Sequence, residues 1–330
     1  MKTSTPNPIK AVLFCALLII LQSCKPAIPG SWKNDQIKSG LRDDFHKLND
    51  GALKYLKAND IKGLKSFLSK EFISSVTDRQ VELISNRLTD NPYELLDEYY
   101  VVHKYKDTDT VRAIGADVKR YNVVYPYAAQ EMYVAFFAPK TSDNKYLITL
   151  LYAKFNYGWK IVKMDLGPYT LNGKTAPEYY AMARDQFDKK NLQAAMSDAA
   201  IAMMCFKPSE FLKYPDENDA GKFYVKVRML ANLQLRYPIV LKQIATGPML
   251  LRMYDANTSN GAYPIIYYMT HFPLKDTTEV KKENLEVRKA VDKMMPGINQ
   301  DNKYIMYSAF NKQPNGYETV DHFDMKVKNN

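Results

Sequence analysis

The chain has 330 residues, with 46 Lys and Arg against 36 Asp and Glu and a net charge of +10. Hydrophobic residues make up 46% and charged residues 25%, the balance of a folded globular protein and not of a disordered stalk. Only ten of the 46 basic residues are arginine, and the lysines are scattered between apolar positions, which argues against nucleic acid as a partner.

Lys2 and Lys10 flank an acid-free start, and Ala11–Leu21 follows as an uninterrupted apolar run. A basic stretch and then an apolar core of about 7–15 residues is the grammar of a secretory signal. The run is shorter than the roughly 20 residues that a membrane-spanning helix needs. Its close, Leu21-Gln22-Ser23-Cys24, resembles the lipoprotein signal of bacteria, in its Bacteroidota-type form. That resemblance implies removal of residues 1–23, a diacylglycerol on the Cys24 thiol and an acylated new amino terminus. The partner so implied is a membrane, held through acyl chains on Cys24, since stable anchoring takes two or more chains. Residues 24–31, polar and Pro-rich, read as a tether. No acidic cluster follows Cys24, which points to an outer-membrane position facing the periplasm. Exported location also speaks against nucleic acid. With Cys15 in the signal and Cys24 acylated, Cys205 is left alone, so no intrachain disulfide is expected and Cys205 reads as a small buried hydrophobe.

From Trp32 to about Lys57, Leu41, Phe45, Leu48, Ala52 and Tyr55 recur at helical spacing. Asn59-Asp60 re-cap the chain for a short second helix with Ile61, Leu64, Phe67 and Leu68. Thr77-Asp78-Arg79-Gln80 has the capping-box form and opens a third helix through Leu88. Then the pattern changes. Glu98–Tyr105, Asp117–Tyr127, Glu131–Ala138, Lys145–Phe155 and Trp159–Leu166 are rich in Tyr, Val, Ile and Phe and read as strands of an antiparallel meander. Helices first and strands after mean an α+β domain over 32–174, with helices packed on one face of a curved sheet. The helix ending Lys57-Ala58-Asn59-Asp60, the short helix ending near Phe67-Leu68-Ser69 and the closing hairpin Gly158-Trp159-Lys160-Ile161 are similar to the nuclear-transport-factor-like (SnoaL-like, cystatin-like) superfamily. The resemblance implies a cone-shaped sheet with a pocket at its open end. It transfers no catalytic residue, because the superfamily's catalytic Asp or His constellations are not identifiable.

Thr175-Ala176-Pro177-Glu178 is a second capping box with Pro in the first turn. It opens a helical hairpin, with Ala195, Ala199 and Ala202 on the second helix, that resembles one tetratricopeptide unit. A single copy reads as a connector between domains, since a peptide-binding array needs at least three repeats. With a further helix over Ala220–Arg236, the connector spans 175–236. The remainder, 237–330, reads as a second, smaller α+β domain in the order β-β-β-α-β-β, its helix capped by Asp276 or Thr277.

Chemistry is sparse. His46, His103, His271 and His322 are scattered without metal-ligand spacing, and no two of the 13 glycines lie two positions apart, so neither a metal site nor a cofactor-binding Gly motif is read. Lys275-Asp276-Thr277-Thr278 reads as a turn capping the next helix, and Asp321-His322-Phe323-Asp324 as an exposed polar face. The aromatic content of the first sheet suggests a candidate pocket lined by Tyr99, Tyr121, Tyr133, Tyr152 and Trp159, suited to a small apolar ligand or a sugar; a plain aromatic core is the competing reading. The expected function is non-enzymatic binding of a ligand or an envelope protein at the membrane. The alternative is a small-molecule enzyme of isomerase or dehydratase type in the cone, and a third possibility is an assembly component marked by an exposed apolar patch. A closed cone without a carboxylate or histidine favours binding; an open cavity with such a group against Tyr hydroxyls favours catalysis.

Overall fold

The computed structural model describes residues 28–112, 117–258 and 261–329, so Cys24 as the expected lipid attachment point and the expected signal over 1–23 lie outside the described residues. Gly30–Lys33 is an edge strand, β1, and not the start of a helix. Trp32 stacks on Tyr100 at 5.4 Å, and β1 pairs antiparallel with the strand carrying Tyr100, which draws Gly30 and Ser31 out of the expected tether and into the sheet. The first helix, α1, therefore starts late, at Ser39–Lys57. Three helices follow: α2 (Ile61–Leu64), capped by Asp60; α3 (Lys70–Ile73), capped by Ser69; and α4 (Asp78–Asp90). Thr77 caps α4 as its sequence suggests, but Gln80 spends its side chain on the Met164 carbonyl at 2.9 Å and not on a reciprocal capping bond.

The strands β2 (Tyr93–Val102), β3 (Asp109–Val111), β4 (Asn122–Tyr125), β5 (Glu131–Pro139), β6 (Lys145–Phe155), β7 (Gly158–Leu171) and β8 (Lys174–Thr175) come next. Six strands form one strongly curled antiparallel sheet in the order β1-β2-β5-β6-β7-β8. The expected strand over 117–127 does not join it. Instead β4 pairs with β3 and with a later strand in a separate three-stranded ribbon.

Helices α5 (Ala176–Asp188) and α6 (Leu192–Cys205) make the hairpin. After β9 (Leu212–Lys213), which completes the ribbon with β4, comes α7 (Glu217–Gln234). The last unit holds β10 (Ile239–Val240), β11 (Met249–Thr258), β12 (Gly261–Met269), α8 (Thr277–Met294), α9 (Ile298–Asp301), β13 (Tyr304–Phe310) and β14 (His322–Lys328). Its sheet runs β10-β11-β12-β13-β14, and the crossover through α8 makes β12 and β13 a parallel pair.

The burial pattern corrects the one-face expectation. On one face of the six-stranded sheet, Tyr100, Tyr133, Ala135, Ile148 and Tyr152 pack on Phe45, Ala52 and Leu56 of α1 and on Val81 and Ile84 of α4. On the other, Tyr99, Val134, Phe136 and Leu151 pack on Tyr179 of α5, Ile201 and Cys205 of α6, and the β4 ribbon. Both faces are covered, so β5 is buried from Met132 to Pro139 without alternation. A third core joins α6, α7, α8 and the C-terminal sheet around Val227, Tyr268 and Val287. Burial pushes the Cys205 thiol up to about 12, in keeping with its reading as a small core residue.

Candidate functional site

The five aromatic residues proposed from sequence do not converge. In the β2–β5 register Tyr133 lies opposite Tyr100, while Tyr99 lies opposite Val134. An offset of one residue puts side chains on opposite faces of a sheet. Tyr133, Tyr152 and Trp159 therefore sit with α1, where Phe45 stacks on Tyr133 at 4.0 Å and meets Trp159 edge-on at 5.0 Å. Tyr99 and Tyr121 sit on the far face, 6.5 Å apart and against Phe136. The space between α1 and the sheet is packed by rings.

That face nonetheless holds a polar cluster which the sequence reading passed over. A bulge between Leu95 and Asp97 shifts the β2 register, so that Glu98, with Tyr100, turns toward α1. Arg42, His46 and Asn49 stand at i, i+4 and i+7 on α1, one stripe of the helix. The Glu98 carboxylate, 1% exposed, accepts from Arg42 Nε at 2.8 Å and lies 3.0 Å from His46 Nε2 through one oxygen, and accepts from the Tyr133 hydroxyl at 2.8 Å through the other. Asn49 Nδ2 in turn donates to the Tyr133 oxygen at 2.7 Å. Burial, and then the Glu98 charge, raise the Tyr133 hydroxyl well above its usual range, so it serves as a donor. Arg42 also pairs with Asp35 at the surface. His46 and Arg42 are partly exposed, so the cluster reaches solvent at one edge. Asn34, in the left-handed region at φ 49°, ties this cluster to the opposite face: its Oδ1 accepts from the Glu98 backbone N–H and its Nδ2 donates to Asp97, both at 2.8 Å. Asp97 also pairs with Lys33 at 2.9 Å and accepts from the Tyr121 hydroxyl.

A second candidate lies between the helical hairpin and the last sheet. Here a cleft of about 490 Å³ is lined by Met196, Ala200, Met203 and Met204 of α6, Tyr224, Arg228 and Asn232 of α7, and Met253, Tyr254 and Asp255 of β11. That volume falls within the usual range for a small-molecule site, and thioethers adapt to irregular apolar ligands. Asp255 is the one acidic group in a wall that also carries Arg228 and Asn232. Its Oδ1 accepts from the Ser197 hydroxyl, and among the described residues no cation forms an ion pair with it. Burial pushes the Asp255 carboxyl up to about 6, with the Ser197 bond pulling the other way. The spacing of Met196, Met203 and Met204 at i, i+7 and i+8 was the available signal in the sequence.

A larger cleft, about 790 Å³, runs past Lys275, Lys312, Glu318, Asp321 and His322. Its charges are already paired or exposed: Lys312 with Glu318, and His322 with Asp324 at 3.5 Å, leaving Asp321 out of the pair. Among the described residues no group of three or more His, Cys, Asp or Glu is placed to hold a metal ion. No described helix is long and apolar enough to cross a membrane. Comparison with known proteins finds no matching family model, no matching curated protein and no matching solved structure. Fold and site thus define a mixed α+β chain with a curled antiparallel sheet covered on both faces and a methionine-walled cleft beside it.

Proposed function

We propose that this is a lipid-anchored protein of the cell envelope that binds a small apolar amine in the methionine-walled cleft, without catalysing a reaction. The first domain is read as nuclear-transport-factor-like, with its cone filled by its own rings. The observation that carries the binding reading is Asp255: a carboxylate that no cation pairs with among the described residues, Arg228 of the same wall included, set beside Met253 and the methionines of α6. An ammonium group there would gain a charge-assisted hydrogen bond in a site of reduced dielectric, while its alkyl body contacts thioethers and rings. Titration calorimetry with octylamine and octanol tests this. Octylamine is expected to bind at least tenfold more tightly, and Asp255→Asn to remove that preference. Equal affinity for the two, or none for either, overturns the assignment.

One observation favours the enzymatic alternative. Glu98, His46 and the Tyr133 hydroxyl form a connected proton-transfer set of the kind an isomerase or dehydratase would use. Phe45 and Trp159, however, fill the space beside it. The cluster accordingly reads as a structural strut between α1 and β2.

A further inference from the structure

Helix α7 is apolar on two sides, although only one is covered. Ala220, Val227 and Ala231 face the core. Val225, Met229 and Leu233 recur every four residues on the outward side, and each is 57% exposed. By the 3.6-residue period this is one stripe, about 12 Å long. Lys222 and Lys226, both exposed, fall on the same outward side, and Arg236 is exposed just past the helix's end. Beyond the helix, Val240 is 48% exposed. The whole stretch from Ala220 to Tyr254 carries six Lys or Arg and no Asp or Glu, in a chain where acids are otherwise common.

We infer that the outward face of α7 is a docking surface for an anionic phospholipid bilayer. Exposed aliphatic residues flanked by long basic side chains, with the helix's own acids confined to its first turn, are the composition of a helix lying in a membrane interface. The apolar tips enter the headgroup boundary, and the lysine stems extend along it while their ammonium groups meet lipid phosphates. Self-association fits less well. A second copy would bury only three aliphatic side chains of this face, Val225, Met229 and Leu233, far short of what a stable dimer interface needs. The inference stands apart from the lipid anchor and from the ligand of the cleft, since it uses only a face that neither involves.

The test uses the mature chain from residue 24 carrying Cys24→Ser, so that neither an acyl chain nor the apolar run of residues 11–21 contributes, with Cys205 buried. A polarity-sensitive fluorophore placed through Leu233→Cys is expected to shift blue with phosphatidylglycerol vesicles and not with phosphatidylcholine vesicles. The same fluorophore through Leu285→Cys on α8, a site 52% exposed, is expected to stay unmoved. Lys222→Gln with Lys226→Gln should lower partition onto the anionic vesicles about thirtyfold. Equal response at the two positions, or no effect of the lysine changes, overturns the inference. So does a dimer, seen by light scattering, that Met229→Asp dissolves while vesicles give no response; that result assigns the face to a second copy. Crosslinking from position 233 to an acidic protein without a vesicle response overturns it as well.

Discussion

Glu98 and Asp255 are both carboxylates on buried strands, and their neighbours give them opposite roles. Glu98 is saturated: Arg42, His46 and Tyr133 occupy its two oxygens, and the Tyr133 bond extends to Asn49. Removing it strands several partners at once. Glu98→Ala is expected to cost about 3 kcal/mol in urea unfolding, since it leaves a buried hydroxyl and a guanidinium short of their acceptor. Among the described residues, Asp255 has one hydroxyl donor and no cation in ion-pair contact. Because its folded value is raised to about 6 from an ordinary 3.8, the folded state holds a proton longer than the unfolded state does. Stability is then full below pH 4 and falls as pH rises toward 6. Asp255→Asn is expected to match the parent chain near pH 3 and to exceed it by about 1–3 kcal/mol at pH 7, in paired melts at the two pH values. A residue that costs stability at neutral pH is best explained by what it binds.

At the scale of elements, close approaches decide more than propensity. Gly167 of β7 lies under the chain that leaves α6: a Cβ there would come within 2.6 Å of the Pro208 carbonyl oxygen, a backbone atom that cannot swing aside. Gly167→Ala is expected to lower stability by about 1–3 kcal/mol. Gly40, in the first turn of α1 with open space around its Cβ position, gives the control: Gly40→Ala should raise stability by about 0.4–1 kcal/mol. Thermal melts of the two variants separate the effects by sign. The capping box at Thr175 shows local chemistry holding where no neighbour competes. Glu178 accepts from the Thr175 backbone N–H and hydroxyl, both at 2.8 Å, and pairs with Lys119 at 3.1 Å. Burial alone would raise the Glu178 carboxyl, but these bonds outweigh it and hold it below its usual value.

At the scale of the molecule, the curled sheet is the central layer, with α1–α4 on one side and the α5–α6 hairpin plus the β4 ribbon on the other. The hairpin is shared: Cys205 and Ile201 pack on this sheet, while Ala195 and Met196 pack on the C-terminal unit. The connector is thus a common wall and forms one side of the cleft. The proposed anchor acts on the whole chain. Labelling with a palmitate analogue in a bacterial host that expresses the full chain is expected to mark the protein, and Cys24→Ser to abolish the mark and release the protein from the membrane fraction; undiminished labelling overturns the anchor.

Periodicity and caps made α4, α5, α6 and α8 legible from the residues alone, because amphipathic spacing and N-terminal bonds are local. The unbroken apolar run Met132–Pro139 also carried the two-face burial in plain sight. Three things needed the tertiary structure. Tyr99 and Tyr133 part because register, set by pairing with a distant strand, assigns faces. Glu98 meets Arg42 and His46 because a bulge turns one strand toward a helix more than fifty residues away in sequence. The cleft at Asp255 exists because three separate elements leave space between them. The sequence by itself determined most of the helices and the expected address at Cys24, while β1 and the separate β4 ribbon emerged only from pairing between distant segments. Only the folded chain decided which side chains meet, since contacts across a sheet depend on register and packing that no local pattern encodes.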